Sequence, residues 1–334
     1  MYYRQDCSDI ARAAAPESRQ VDDHPGDYVP DPGLVDAVNV ALVLNRPLLL
    51  TGDPGTGKTQ LAFSVAWQLA SRKQLNVATA HVERFEAKST SVARDLFYSF
   101  DTLGRFQAAY SGGKANNIDY ITYNALGRAL LRALPKTTVS HLLPPQFDHD
   151  GPTRSIVLID EIDKAPRDFP NDLLNEIDQM FFRMPELGNE RVGGADVLSR
   201  DYFPLVFISS NSEKNLPDPF LRRCIYYNIP FPERDALETI LLARLKSLMP
   251  ARGRLIEDVL DFYGELRDNQ ASGRKISPAE LIQWITFMLK SGADPKGSLR
   301  DASGKAIAGL SAISKDLDDQ ERLGRALKTR LGIS

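Results

Sequence analysis

Pro47-Leu48-Leu49-Leu50-Thr51-Gly52-Asp53-Pro54-Gly55-Thr56-Gly57-Lys58-Thr59-Gln60 decides how the rest of the chain is read. Leu48-Leu49-Leu50 is a short apolar run, the look of a strand buried on both faces of a parallel sheet. It leads directly into the pattern GxxxxGK[ST]. Leu61, Ala62, Val65, Ala66 and Leu69 then recur at the spacing of one helical face. Strand, glycine loop and helix in this order make a phosphate cradle. Glycines let the backbone curl so that successive N–H groups point at phosphate oxygens. The helix that follows offers its positive N-terminus to the same anion. Lys58 is placed to bridge β- and γ-phosphates, and the Thr59 hydroxyl to coordinate Mg²⁺. The run Gly52 to Gln60 is therefore the expected ATP-contacting segment. Background frequencies produce this pattern by chance in roughly one chain of this length in a hundred, and the flanking strand and helix make chance a poor explanation.

A companion stretch lies downstream. Ile156-Val157-Leu158-Ile159-Asp160-Glu161 is an apolar strand that delivers two acids at its carboxyl end, where ligands of open α/β sheets bind. Asp160 is expected to hold the metal and Glu161 to polarise the attacking water. Taken alone, an acidic turn after a strand is common; the glycine loop upstream gives this one its meaning. A third apolar run, Leu205-Val206-Phe207-Ile208, is followed by Asn211, whose amide can orient water, although Asn after a strand is more often a turn former. Leu216 to Leu221 reads as a short helix that ends in Arg222-Arg223. A guanidinium aimed at a neighbour's γ-phosphate is worth ~10³–10⁵ in rate; the plainer alternative is a pair of solvated cations complementing a helix end.

Strands separated by helical segments predict a parallel α/β sheet, with Cys224–Ile229 as a fourth strand. Pro230-Phe231-Pro232 marks a boundary. Beyond it Ala236–Leu248, Leu255–Leu266, Pro278–Lys290 and a tail over Ala306–Leu331 read as helices, which makes the second domain small and all-α. The expected division is an N-terminal arm at 1–32, broken by prolines and ordered near the ATP site, a nucleotide-binding domain at 33–229, and a helical domain at 230–334. A chain of 334 residues suits two domains, and its 43% hydrophobic and 25% charged content is that of a soluble globular protein. The formal net charge of -3 offers no bulk attraction to nucleic acid. Two cysteines, Cys7 and Cys224, have no metal-ligand spacing and no disulfide pattern. The acidic opening Met1–Asp6 lacks the apolar core of a signal peptide, and no apolar run is long enough to span a membrane, so a cytoplasmic address is expected. His141 and His149 sit with Asp148 and Asp150 in a Pro-rich stretch that reads as a solvated loop far more readily than as a metal site. Tyr28 and Val29 are candidates for the adenine pocket or for plain packing.

These elements, in this order, resemble the AAA+ ATPases, and among them the MoxR-like proteins of the helix-2-insert clade, over about residues 33–290. The resemblance is carried by Arg46-Pro47-Leu48-Leu49-Leu50-Thr51-Gly52, the glycine loop, Asp160-Glu161-Ile162-Asp163-Lys164-Ala165-Pro166, Leu173-Leu174-Asn175-Glu176-Ile177, and Ser210-Asn211 followed by Leu216-Pro217 and Arg223. It implies a P-loop NTPase fold, a three-layer αβα domain with a parallel sheet, followed by a small all-α lid. It also implies Mg-dependent ATP hydrolysis and assembly into a homo-oligomeric, hexameric ring. By the same resemblance Asn211 falls on the sensor-1 position and Arg223 on the arginine finger, with Lys58 and Glu161 completing the catalytic set. Arg222 stands where the family often has Asp. Leu103-Gly104-Arg105 and Tyr123-Asn124-Ala125-Leu126 would flank an insert at about 104–124 with Ser111-Gly112-Gly113 near its tip, and 181–203 would be the pre-sensor-1 hairpin. In such proteins both hairpins reach the pore of the ring and touch the client.

The chain departs from the pattern twice. Asn124-Ala125 replaces the usual Gly-Pro. The lid helix opens Arg274-Lys275-Ile276-Ser277-Pro278-Ala279-Glu280, so Ala279 stands where the family carries its sensor-2 arginine. Either Arg274 or Lys275 substitutes, or nucleotide closure is weaker. MoxR-like proteins often act as chaperone-like maturation factors beside von Willebrand factor A domain proteins, which would make the client a protein of that kind. The expected function is a ring-forming ATPase that remodels a protein partner. The rivals are a slowly hydrolysing nucleotide switch or scaffold, and a nucleic-acid motor or loader, for which a basic, aromatic-studded surface is wanting.

Overall fold

The computed structural model describes residues 1–10, 24–111, 116–211, 216–268 and 276–333. The expected insert tip at Gly112-Gly113 and the candidates Arg274 and Lys275 lie outside these residues. The described parts of Met1–Glu17, Pro30–Gly52 and Lys58–Ile229 form one compact unit, and those of Ser18–Val29, Asp53–Gly57 and Pro230–Ser334 form another.

The first unit is built on a five-stranded parallel sheet. Its strands are β1 (Leu48–Thr51), β2 (Val82–Glu86), β5 (Ile156–Asp160), β8 (Leu205–Ser209) and β9 (Ile225–Asn228), in the spatial order β2-β5-β8-β1-β9. Every residue of β1, β5 and β8 is buried, which requires cover on both faces and explains their uninterrupted apolar runs. Helix α1 (Pro32–Leu44) packs on β1 and β9, α2 (Lys58–Ser71) on β5 and β8, and α4 (Ala125–Ala133) on β2 and β5. Between β2 and α4, the antiparallel pair β3 (Tyr98–Phe100) and β4 (Ile121–Tyr123) brackets α3 (Thr102–Tyr110). The short helix α5 (Lys136–Val139) precedes β5, and the short helices α6 (Phe169–Asp172) and α7 (Leu174–Gln179) follow it. A second antiparallel pair follows, β6 (Phe181–Met184) with β7 (Glu190–Gly193), and α8 (Asp218–Leu221) leads into β9.

Strand β2 is the one the hydrophobic pattern did not reveal. Its charged residues Glu83, Arg84 and Glu86 interrupt the apolar run, because β2 is an edge strand and pairs only with β5. Glu83 is nevertheless buried, and it receives Arg128 from α4 at 2.6 Å and Arg132 as a second ion pair. Burial alone would raise its pKa, yet hydrogen bonds from His81 and Arg128 override this and hold the carboxyl down at about 2. Because the unfolded chain takes up this proton first, the stabilisation is whole above about pH 4.5 and is lost as pH falls toward 2. Glu83→Gln should therefore lower stability by about 2 kcal/mol at pH 7, leaving two arginines without their buried partner. That deficit should shrink as the pH is taken down to about 3, a trend read from urea midpoints of both proteins.

The start of the chain is more ordered than its polar composition predicts. Tyr3 is fully buried with its hydroxyl 3.1 Å from Ser64 Oγ; the backbone N–H groups of Tyr2 and Tyr3 donate to Asn39 Oδ1 at 2.8 and 3.1 Å; and Arg72 reaches Asp9 at 2.8 Å. These residues pack on Asn39 of α1 and on Ser64, Gln68 and Arg72 of α2.

The second unit holds α9 (Arg234–Arg244), α10 (Arg254–Asp268), α11 (Pro278–Lys290), α12 (Ser303–Ala308) and α13 (Leu317–Leu331), with no strand among its described residues. The tail read as helical over Ala306–Leu331 holds α13 and the end of α12, with the short 3₁₀ helix Leu310–Ala312 between them. The core centres on Trp284, buried against Phe262, whose indole N–H donates to the Ala306 carbonyl at 3.0 Å. A capping box starts α11: Ser277 N–H and Oγ–H both donate to Glu280 Oε2, at 2.8 and 2.9 Å.

Candidate phosphate and metal site

The site lies at the carboxyl ends of three adjacent strands, and the strand order decides who meets whom. β8 sits between β1 and β5, so Ser209 at its end stands between the glycine loop leaving β1 and the acids leaving β5. Gly52, Gly55 and Gly57 have φ values of 135°, 77° and 91°, a conformation that side chains oppose and glycine permits. The loop is also closely packed within its unit. A Cβ on Gly57 would come within 2.9 Å of the Tyr28 ring, and one on Gly55 within 2.7 Å of Ser277 and 3.4 Å of Ala279. Tyr28, a candidate for the adenine pocket, thus stands against the loop.

Lys58 opens α2; it is buried, and its Nζ donates to the Gly52 carbonyl at 2.7 Å. The ammonium is therefore folded back across the loop it serves. Next to it the Thr59 hydroxyl donates to the Asp160 carboxylate, 3.0 Å from Oδ1 and 3.2 Å from Oδ2. The sequence placed these two residues about a hundred positions apart; parallel pairing brings them into contact.

Asp160 has two further partners that the sequence did not announce. Ser209 Oγ donates to Oδ1 at 2.5 Å, and Arg84 Nη2 from β2 donates to Oδ2 at 2.7 Å. Arg84 supplies the positive charge that makes burial of the Asp160 carboxylate tolerable. Ser209 Oγ also accepts the Glu161 N–H at 2.8 Å and so fixes the turn between the two acids. Glu161 itself has φ 56°, a left-handed conformation unusual outside glycine, and its carboxylate accepts from Lys164 Nζ at 2.6 Å. That hydrogen bond raises the Lys164 pKa, and the exposed pair holds the carboxylate aside. Asn211 follows Ser209 and donates its backbone N–H to buried Asp163 Oδ1 at 3.1 Å.

The donor set suits Mg²⁺. Thr59 offers a hydroxyl and Asp160 a carboxylate, both oxygen ligands, and a magnesium ion completes its octahedron with water and substrate phosphates. Among the described residues no group of three or more His, Cys, Asp or Glu is gathered to hold a metal ion. His149 is buried, its ring held by the Gly151 N–H and the Leu131 carbonyl, so it is no part of a solvated loop.

Arg223 is apart from this group. It precedes β9, whose first residue Ile225 pairs with Leu48, the first residue of β1. Both strands run the same way, so Arg223 lies at the amino edge of the sheet while Lys58, Asp160 and Glu161 lie at the carboxyl edge. Its Nη1 donates to the Pro219 carbonyl at 3.0 Å, and Nε is 4.0 Å from Asp178 Oδ1.

Comparison with known proteins adds a family. The model of the AAA domain (dynein-related subfamily) matches residues 47–224, more than half of the chain. A search of curated proteins returned no match. Among solved structures, the chain is similar to the Thermotoga maritima RuvB Holliday junction branch migration motor at 16% identity and a TM-score of 0.42, covering 89% of this chain and 79% of that one. It is similar to C. elegans PCH-2 at 18% identity and a TM-score of 0.44, with 93% and 73% covered. A FIGL-1 AAA domain in complex with ADP gives 18% identity and a TM-score of 0.37, with 86% and 78% covered.

Proposed function

We propose, since the chain belongs to the AAA domain family (dynein-related subfamily), that it binds ATP on Gly52–Gln60 and hydrolyses it with the help of Mg²⁺. The observation that carries this reading is the contact of Thr59 with Asp160 beside Lys58, one cation and two oxygen donors at the mouth of a glycine loop. Lys58 would leave the Gly52 carbonyl and turn to the β- and γ-phosphates. Thr59 and Asp160 would hold Mg²⁺, which when bound neutralises charge developing on the phosphates. Glu161 would accept the proton of the attacking water, and Asn211 would help orient that water. Arg223 would act in trans on a neighbouring subunit. The protein would then assemble as a ring, a hexamer in the MoxR-like reading, and use hydrolysis to remodel a protein client, such as one with a von Willebrand factor A domain.

A slowly hydrolysing switch is favoured by one observation: Ala279, where the resemblance would have an arginine, stands against Gly55 at the start of α11. Turnover per subunit separates the two readings. No helix of the described residues is long and apolar enough to cross a membrane.

Lys58→Ala tests the ATP site itself. Removing the fixed cation should weaken ATP binding by roughly 10- to 100-fold, the worth of a charged hydrogen bond, while the melting temperature without nucleotide changes little. Titration with a fluorescent ATP analogue measures this. Wild-type affinity in the variant would remove Gly52–Gln60 as the site.

A further inference from the structure

Arg46 stands just before β1 and is spoken for by nothing in the nucleotide site. Its guanidinium reaches the connection between α8 and β9: Nε donates to the Arg223 carbonyl at 3.1 Å, and Nη2 donates to the Arg222 carbonyl. One planar group thus holds two consecutive peptide carbonyls, and its fixed fork sets direction as well as distance. The N–H groups of Arg222, Arg223 and Cys224 already donate to the Asp218, Phe220 and Leu221 carbonyls at 3.0, 3.0 and 3.1 Å, and Arg46 adds the bonds to the carbonyls of Arg222 and Arg223. Helix α8 is four residues long, too short to be stable by itself. On the other side, β9 begins only at Ile225, whose N–H donates to the Pro47 carbonyl at 2.8 Å. Arg46 and Pro47 are neighbours, so the edge of β1 clamps both ends of the Arg222–Ile225 link.

Arg46 is exposed and contributes nothing to the apolar core, so the two carbonyl contacts are what it supplies. A guanidinium is the group that supplies two diverging donors from one rigid plane.

We propose that Arg46 is a positioning residue for Arg223: it fixes the backbone from which the Arg223 side chain is presented to a neighbouring subunit. This rests on the reading of Arg223 as a residue that acts in trans. Arg46 touches no phosphate in this scheme; it acts only through the two carbonyls.

The test is a set of mixed assemblies. Arg46→Ala should bind the fluorescent ATP analogue as the wild type does, while its hydrolysis falls about 10- to 100-fold, the scale expected for a misplaced catalytic group. Arg46→Lys, which keeps the charge and donors but not the rigid planar fork, should recover part of the loss. Mixed with Lys58→Ala, the Arg46→Ala protein should regain activity, because it brings an intact P-loop and its partner an intact finger. Mixed with Arg223→Ala it should not, because neither subunit presents a working finger. A wild-type rate for Arg46→Ala overturns the proposal. So does lost ATP binding, which would place Arg46 in the fold alone, and so does rescue by Arg223→Ala. The control mixture of Lys58→Ala with Arg223→Ala judges the underlying reading separately: if that pair does not complement, Arg223 is no trans-acting group and this role for Arg46 falls with it.

Discussion

Glu161→Gln is expected to bind ATP and Mg²⁺ as well as the wild type and to hydrolyse roughly 10²–10⁴-fold more slowly. The amide keeps the size and the planar shape of the carboxylate but cannot take a proton from water. Binding survives because the contacts of Lys58 with the Gly52 carbonyl, of Thr59 with Asp160, and of Asp160 with Ser209 and Arg84 hold the groups that would bind nucleotide and metal. The left-handed turn at Glu161 also survives, since it is fixed by the backbone N–H on Ser209 Oγ. What is lost besides the base is the pair with Lys164, so the raised pKa of Lys164 should relax toward its ordinary value. The pair also makes a point about the cycle. In the proposed role Glu161 would exchange Lys164 for the attacking water. Single-turnover hydrolysis and equilibrium binding, measured on the same preparation, check the split. Turnover near the wild-type rate would move the base elsewhere, and the first place to look is Asp163, buried two residues on.

The parts of this site that the sequence displayed are those whose chemistry is local. A glycine loop needs its neighbours in the chain to curl, so Gly52–Thr59 is written as one string. Asp160 and Glu161 are visible because an apolar strand points straight at them. The residues it hid depend on strand order, which no local pattern encodes. Ser209 matters only because β8 lies between β1 and β5. Arg84 matters only because β2 pairs in register with β5, two residues short of Asp160. Its strand was itself obscured by charges that an edge position tolerates. Arg46 is the same case at the opposite edge of the sheet, an ordinary surface cation until β9 is laid beside β1. Tyr3 is different: its burial against Ser64 came from a proline-broken segment with no apolar pattern to announce a core residue.

Arg223→Ala is expected to lose on the order of 10³-fold in hydrolysis with ATP binding unchanged. The reason is geometric. Within one chain, Arg223 precedes a strand at the amino edge, and the P-loop leaves the parallel neighbour at the carboxyl edge. Four residue pairs separate them along the strands, roughly 13 Å at the usual rise, before either loop is added. An arginine so placed is out of reach of its own γ-phosphate, so any catalytic part it plays must be on another subunit. Its present contacts do not bind it tightly. A single carbonyl and an aspartate at 4.0 Å at the surface are worth little, so the side chain is free to turn to a neighbour. Removing it should therefore change the melting temperature by only a few degrees, about what an exposed pair contributes. The wild-type rate per subunit should fall on dilution, because a site completed by two chains disappears when the chains part. The Arg223→Ala rate, already without the finger, should be nearly independent of concentration. A wild type that keeps its full rate as a dilute monomer would remove the trans arrangement and leave the Lys58–Asp160 site standing. A variant that loses stability and keeps its rate would reduce Arg223 to an anchor for the end of α8.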